Sequence, residues 1–244
     1  MCIGWKVKVR TKHSFVNAGL IGAGNPSSAR KTQEVVRQRC IIEKTIDTDY
    51  IRLIAGADAA YSHDMVYAAI IVMAFPALDV VEQSCATRKI SFPYIPGLLS
   101  FREGPAVIDA FDQLTCIPDL IFLNGHGYAH PARAGIASHI GVVLDTPSIG
   151  VAQHLLTGTG AMPGLEKGST EPVYAEGEVI GMAVRTRERA RPVYVSVGHK
   201  VDQFQAVDLV LRTTTTHRFP EPLRCADMMS RKYRKQREES KTDI

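Results

Sequence analysis

Two strand-length runs with almost no polar residue most constrain what this chain can fold into. They span residues 50–57 and 66–75, and a third, more polar run spans 80–90. A strand without polar alternation has both faces buried, whereas polar residues are typical of a strand at a sheet edge. The links between the runs are short, so we predict an antiparallel meander of three strands.

Helices and strands alternate along the rest of the chain. Apolar residues at helical spacing predict helices at 28–45, 103–114, 136–144 and 203–211, and a last helix that begins near Glu221. Short apolar runs predict strands at 119–123, 148–152, 179–184 and 192–197. A meander followed by this alternation is typical of an α/β domain with a mixed sheet flanked by helices.

The chain of 244 residues has a net charge of +4, and we find no internal repeat or linker in it. We predict a basic leader and loop at 1–28, one domain at 29–229 and a basic tail at 230–244. Residues 230–241 hold six basic and two acidic residues, a charge of +4 by themselves. The sequence leaves open whether this tail is a solvated helix end or a phosphate-binding appendage.

Several protein classes are excluded by missing patterns. The longest apolar run, 65–78, is shorter than the ~18 to 20 residues that span a bilayer, and residues 1–10 lack the apolar core of a secretory signal. We therefore expect a cytoplasmic protein, or a nuclear or nucleolar one in a eukaryote, without a membrane partner. The chain also lacks a G-x-x-x-x-G-K-[ST] loop, a G-x-S-x-G motif and the Cys and His spacing of a structural zinc site.

Polar side chains at the ends of buried strands are the first candidate site residues. Asp58 is expected just past the first apolar run, and Asn124 at the end of the run at 119–123. A buried carboxylate is costly without partners, and the ligands of open α/β sheets collect at the carboxyl ends of strands. The glycines at 125 and 127 would let the backbone approach such a ligand closely.

Two further carboxylates have both a structural and a functional explanation. Glu103 is expected at a helix start, where an acidic residue is favoured electrostatically, and Asp227 on a charged helix, where it would be solvated. Carboxylates that converge from separate strands and helices indicate divalent-metal chemistry instead. His126 and His130 lack the Glu of an H-E-x-x-H motif, so we expect loop histidines and no zinc-protease site.

Three long segments carry a resemblance to a known family. They are PYIPGLLSFRE at 93–103, DLIFLNGHGYAHPARAGIASHIG at 119–141 and TPSIGVA at 146–152. The segments resemble endonuclease V, an inosine-directed nuclease of DNA repair and RNA processing, and the resemblance covers about residues 29–227. It implies a ribonuclease H-like fold with a five-stranded mixed sheet, strands 1–3 antiparallel and strands 4–5 parallel.

The same resemblance implies an activity, a cofactor and a partner. The activity is hydrolysis of the second phosphodiester bond 3′ to inosine or deoxyinosine, which leaves a 5′-phosphate end. The implied cofactor is Mg²⁺, for which Mn²⁺ can substitute. The implied partner is single- or double-stranded DNA or RNA that contains inosine, bound by a monomer.

Site residues are carried over motif by motif. The implied metal ligands are Asp58, Glu103, Asn124 and Asp227, which form the catalytic set together with His130 beside the phosphate. The implied nucleic-acid contacts are the wedge loop of Pro93, Tyr94, Ile95, Pro96 and Gly97, the base-pocket backbone of Gly125, His126 and Gly127, and Gln153. Tyr94 is expected to pack into the gap that the flipped inosine base leaves in the strand.

Two residues depart from the family pattern. Asn124 stands where the family has a metal-binding aspartate, and Gln153 where it usually has a lysine that helps neutralise the phosphate. Loss of a carboxylate weakens cation binding, so we expect slower cleavage. The sequence leaves open a nuclease whose site is compensated, a natural inosine-binding protein that cuts weakly or not at all, and an enzyme altered at Asn124 to trap its substrate.

Overall fold

One mixed sheet of eight strands forms the centre of the computed structural model, which describes residues 18–43 and 46–242. The first part of the predicted leader, 1–17, lies outside the described residues. The strands are β1 (Leu53–Ser62), β2 (Met65–Ala74), β3 (Val80–Lys89), β4 (Leu120–Asn124), β5 (Ser148–Ala152), β6 (Thr170–Ala175), β7 (Glu178–Val184) and β8 (Val193–His199). The α-helices are α1 (Pro26–Arg39), α2 (Leu99–Asp112), α3 (Ile136–Leu144), α4 (Gln203–Arg212) and α5 (Glu221–Thr242).

The strand order is β3-β2-β1-β4-β5-β8-β7-β6. β1, β2 and β3 form an antiparallel meander, and β1, β4 and β5 run parallel to one another. These five strands confirm the predicted ribonuclease H-like class. The sheet has three strands more than the five that the resemblance implies, because β8 pairs antiparallel with β5 and β7 and β6 follow beside it. The strands predicted at 179–184 and 192–197 are β7 and β8.

The sequence pattern gives no prediction for β6. Its sequence, TEPVYA, contains Pro172, which cannot donate a backbone hydrogen bond and argues against a strand in a sheet interior. The structure places β6 at the edge of the sheet, where one side of the strand needs no partner. Edge position therefore explains why a proline is tolerated there.

Two predicted boundaries are wrong in a way that moves site residues. β1 extends to Ser62 because it pairs with β2 over its whole length, so Asp58 lies inside the strand opposite Ala69 and not past its end. α2 begins at Leu99, and Glu103 therefore lies one turn inside the helix and not at its start. Pro105 favours a late helix start in the sequence, yet α2 accommodates it in its interior.

Helices cover both faces of the sheet, as predicted from the apolar strands. Ile70 of β2 packs with α2 and α3 on one face, and Ile71 packs with α4 and α5 on the other. Burial of one such side chain contributes about 1.5 to 3 kcal/mol to stability. Helix packing therefore stabilises both faces of the sheet. This double burial accounts for the nearly continuous apolar sequence of β2.

Helix α5 continues through the predicted boundary between domain and tail. The ring of Tyr233 packs edge-on against Tyr67 of β2, with ring centroids 6.1 Å apart. Arg234 donates a hydrogen bond from Nη1 to the carbonyl oxygen of Tyr61 at 3.1 Å. The start of the predicted tail is thus packed on the sheet. In the part of the chain that the structure describes, no helix is long and apolar enough to cross a membrane.

Candidate active site and base pocket

Asp58 and Asn124 lie side by side on neighbouring parallel strands. β1 and β4 are paired with Ala57 opposite Leu123, which brings the next residue of each strand together. The Asn124 amide donates from Nδ2 to Oδ1 of Asp58 at 3.2 Å. The same Asp58 oxygen accepts the backbone N–H of Ala59 at 2.9 Å. β4 and β5 both end here, and we call this end of the parallel strands the carboxyl edge.

Glu103 reaches this site from α2 and is buried. The hydroxyl of Tyr61 donates to Oε1 of Glu103 at 2.7 Å, and the guanidinium of Arg102 lies over the Tyr61 ring at 4.9 Å. Burial raises the pKa of Glu103 to about 8, and the nearby charge of Asp58 adds to the rise. Tyr61 therefore fixes the orientation of the Glu103 carboxyl group, and the charge of Arg102 opposes part of the rise in its pKa.

Asp227 reaches the same site from α5. A Cβ at Gly56 of β1 would lie 2.2 Å from the backbone carbonyl carbon of Pro222, so only glycine lets α5 approach the strand this closely. Burial raises the pKa of Asp58 to about 7, and Asp227 contributes through its charge and a hydrogen bond. Arg231 holds Asp227 from the next helical turn, with Nε 2.7 Å from Oδ1.

The four predicted metal ligands are thus neighbours, and Asp58 interacts with each of the other three. Asp227 raises the pKa of Asp58 through its charge and a hydrogen bond, and the charge of Asp58 raises the pKa of Glu103. Among the described residues, no group of three or more His, Cys, Asp and Glu side chains is close enough to hold a metal ion. The donors fit a divalent cation in kind, because hard cations take carboxylate and amide oxygens. A cation would also relieve the cost of burying like charges, which the raised pKa values of Asp58 and Glu103 express.

A pocket of about 260 Å³ is lined by Gly125, the residue after Asn124, whereas none of the four predicted metal ligands lines it. Seven predicted site residues line it: Tyr94, Ile95, Pro96, Gly97, Gly125, His126 and His130. Seven further lining residues are not apparent from the sequence: Leu99, Ser100, Gly135, Ile136, His154, Leu155 and Leu156. Gly125, which follows Asn124 directly, has a φ of +145° that favours glycine, so the pocket and the carboxylate site share a short backbone segment.

The wedge loop forms one wall of this pocket. Tyr94 is 70% exposed, so its ring is accessible from solvent. Pro93 belongs to the same loop but does not line the pocket. The loop ends at Gly97, whose φ of +82° again favours glycine.

His130 anchors the wedge loop. Its Nδ1 accepts the backbone N–H of Ala132 at 3.0 Å, so Nε2 carries the proton and donates to the carbonyl oxygen of Gly97 at 2.9 Å. Gln33 of α1 donates to the same carbonyl at 2.7 Å, a contact that no sequence pattern indicates. Burial lowers the pKa of His130 to about 4, so the ring is neutral near pH 7. Its predicted place beside the phosphate stays a prediction.

Gly127 and Gln153 do not line the pocket. A Cβ at Gly127 would lie 2.0 Å from the carbonyl oxygen of Val197, so packing against β8 requires this glycine. Its backbone N–H donates to the Ser196 hydroxyl at 2.9 Å. Gln153, one residue past β5, accepts a hydrogen bond on Oε1 from Nη2 of Arg218 at 3.2 Å.

Comparison with known proteins agrees with this geometry. The family model described as Endonuclease V matches residues 34–228. The chain belongs to the endonuclease V family. Endonucleases V are metal-dependent nucleases, and all the predicted site residues fall within the matched range.

Individual endonucleases V match over most of their length. The enzyme of a Roseiflexus species is 48% identical over 204 residues, which are 84% of this chain and 91% of the relative. The crystal structure of endonuclease V from Streptomyces avermitilis has a TM-score of 0.84 and 41% identity, with 88% of this chain and 95% of that one covered. Endonuclease V from Ciona intestinalis, in complex with a DNA containing an inosine followed by a ribo-adenosine, has a TM-score of 0.75 and 26% identity, with 86% and 98% covered.

Proposed function

We propose that this protein is a metal-dependent endonuclease that recognises inosine in a nucleic-acid strand and hydrolyses the second phosphodiester bond on its 3′ side. One observation carries the proposal: the pocket beside Tyr94 and the carboxylates around Asp58 are joined by the continuous segment Asn124–Gly125. A base held in that pocket keeps its own strand next to the carboxylates. The inosine-containing DNA bound by the Ciona relative supports this substrate class.

Base recognition would use the backbone and the wedge loop. With the inosine base turned into the pocket, exposed Tyr94 is positioned to stack in the gap left in the strand. Gly97 and Gly125 leave room for the base against the main chain, whose N–H and C=O groups match the donor and acceptor of hypoxanthine. His130 and Gln33 would keep the wedge loop in place while the base enters.

The carboxylate site would hold Mg²⁺, for which Mn²⁺ can substitute. Asp58, Glu103 and Asp227 are the charged ligands, and Asn124 adds its carbonyl oxygen after rotation of its amide. When bound, the cation activates a water molecule and stabilises the leaving 3′ oxygen. Tyr61 orients Glu103 and Arg231 orients Asp227, so two of the carboxylates are positioned before the substrate arrives.

A second candidate function is an inosine-nucleic-acid binding protein that cuts slowly or not at all. It is favoured by the contact between Asn124 and Asp58, in which an amide N–H occupies a carboxylate oxygen that a cation would otherwise use. The amide also removes one negative charge from the site. Asn124 neither lines the pocket nor belongs to the wedge loop.

The experiment measures binding and cleavage in parallel. End-labelled DNA and RNA strands that contain one inosine, single- and double-stranded, are incubated with Mg²⁺, with Mn²⁺ and with EDTA. Strands with guanosine in place of inosine are the control for recognition, and Glu103→Gln is the control for catalysis. Metal-dependent cutting on the 3′ side of inosine establishes the nuclease and the preferred strand type. Selective binding without cutting establishes the binding protein, and equal treatment of inosine and guanosine strands refutes both.

A further inference from the structure

Arg218 lies at the carboxyl edge and contacts the residue that replaces a family lysine. Its Nη2 donates to Oε1 of Gln153 at 3.2 Å, across 65 positions of sequence. The backbone carbonyl of Arg218 accepts a hydrogen bond from the fully buried hydroxyl of Thr186 at 2.6 Å. Thr186 thus holds the main chain of Arg218, and Gln153 holds its guanidinium. These two contacts fix the position of the guanidinium.

The guanidinium of Arg218 lies over the Phe219 ring, 5.5 Å from its centre, and the charged neighbour Arg191 is also a cation. None of the ion pairs formed by the described residues involves Arg218. Burial lowers the pKa of Arg218, and the positive charge of Arg191 lowers it further. A partly buried arginine that has a like-charged neighbour and forms no ion pair with the described residues is suited to an anion from outside the protein.

The sheet places this pair of cations at the site already described. Gln153 follows the end of β5, and Val151 of that strand lies opposite Asn124. Arg191 precedes β8, whose Tyr194 pairs with Ala152 at the same end of β5. The strand that carries the scissile bond would pass this edge after the base has entered the pocket.

We infer that Arg218, oriented by Gln153, binds a phosphate of the nucleic-acid strand at the carboxyl edge and supplies the positive charge that residue 153 does not carry. The inference rests on the nucleic-acid substrate of the proposed function. Arg218 is then a substrate-contacting residue, and Gln153 is a positioning residue that acts through it. An arginine reached from another part of the fold would compensate for the missing lysine.

The test measures the salt dependence of binding, which counts phosphate contacts without requiring cleavage. Fluorescence anisotropy with labelled single-stranded DNA, with inosine or with guanosine in its place, is recorded in EDTA over a range of salt concentrations. For Arg218→Ala we expect the slope of log Kd against log salt to fall by about 0.7, the value for one single-strand phosphate contact. The loss of affinity should be equal for both strands because a phosphate contact carries no base information.

Further variants separate the roles of the two residues. Gln153→Ala should weaken binding less than Arg218→Ala and add nothing in the Arg218→Ala background, because the glutamine acts through the arginine. Arg218→Lys should retain the slope, and Gln153→Lys should restore it in Arg218→Ala. Arg212→Ala is the matched control, because Arg212 pairs with Asp208 and lies 4.6 Å over the Phe75 ring, at the opposite end of the strands. Arg218→Gln keeps a polar side chain if thermal unfolding shows that Arg218→Ala is not folded.

An unchanged slope in Arg218→Ala and Arg218→Gln would overturn the inference, as would losses confined to the inosine strand or additive effects of Arg218→Ala and Gln153→Ala. The outcome is separable from the proposed function. A reduced slope in a protein that never cuts supports the phosphate contact and counts against the nuclease. Cleavage by the wild type with an unchanged slope in Arg218→Ala supports the nuclease and counts against the phosphate contact. A wild-type protein that binds neither strand overturns the phosphate contact and the proposed function.

Discussion

The Asn124 amide donates from Nδ2 to the Asp58 carboxylate at 3.2 Å. A carboxylate at position 124 would instead repel Asp58. This hydrogen bond stabilises the metal-free site, because Asp58 already faces Asp227 and has its pKa raised to about 7 by burial and that neighbour. The same contact reduces the negative charge that attracts a divalent cation. We therefore predict that Asn124 favours the metal-free site over the metal-bound one.

Asn124→Asp is predicted to raise the rate of inosine-strand cleavage at least about tenfold, because a carboxylate restores charge where the cation must be held. Single-turnover cleavage at several Mg²⁺ and Mn²⁺ concentrations measures the effect, and the metal concentration for half-maximal rate should fall. Asn124→Ala is the control, since it removes the hydrogen bond without adding charge. An Asn124→Asp protein that is no faster than wild type would place the limiting defect elsewhere, with Gln153→Lys the next variant.

Tyr94→Ala is predicted to weaken binding to an inosine strand more than to a guanosine strand. Stacking of an aromatic side chain on a base contributes about 1 to 3 kcal/mol, and Tyr94 is exposed beside the pocket. Anisotropy titrations of both strands measure the difference. Tyr50→Ala is the matched control, because Tyr50 is 75% exposed and lies just before β1, at the other end of that strand from the site. Equal losses on both strands would refute a role in recognition.

His130→Ala is predicted to loosen the wedge loop and so to lower inosine preference. The ring links Ala132 to Gly97 through two hydrogen bonds, and loss of the donor leaves the Gly97 carbonyl with Gln33 alone. Hydrogen exchange at residues 97 and 98 should become faster, and the effects of His130→Ala and Tyr94→Ala on binding should not add. A shallower salt dependence in His130→Ala, with unchanged exchange, would indicate a phosphate contact instead.

Stability is predicted to fall as pH decreases from about 6.5 to about 4, in part through His139. The ring is fully buried, donates from Nε2 to the Leu20 carbonyl and accepts the Ser100 hydroxyl on Nδ1, each at 2.8 Å. Burial lowers its pKa to about 4, so below the ordinary value of 6.5 the unfolded state binds the proton first and the folded state loses stability. The loss is up to about 3 kcal/mol for this one group.

His139→Gln tests this assignment by urea denaturation across that pH range. The variant should be less stable near pH 7 and show a shallower pH dependence than wild type. Asp58 and Glu103, whose pKa values are raised, act with the opposite sign: the folded state gains stability relative to neutral pH as they bind protons. Their contribution cancels in the comparison of the two proteins. Parallel pH curves for wild type and His139→Gln would show that another group is responsible.

Local pattern was sufficient for the elements that are defined by their own burial. The predicted helix 136–144 and strand 148–152 coincide with α3 and β5, because both are largely apolar and every residue of both is buried. The motifs around PYIPG and GHG likewise named seven of the residues that line the pocket. The endonuclease V family was also predicted from the resemblance of three segments, and the match of the family model confirms it.

Features that require two distant segments to come together were determined only by the tertiary structure. The pairing of β1 with β2 moved Asp58 into a strand, and the pairing of β5 with β8 added three strands to the sheet. The contact of Arg218 with Gln153 has no sequence signal, because 65 positions separate the two residues and either alone resembles a surface residue. Hydrophobic periodicity is a property of one segment, and it specifies which face is buried. Register, strand order and side-chain partners depend on the packing of whole elements against each other, so only the folded chain determines them.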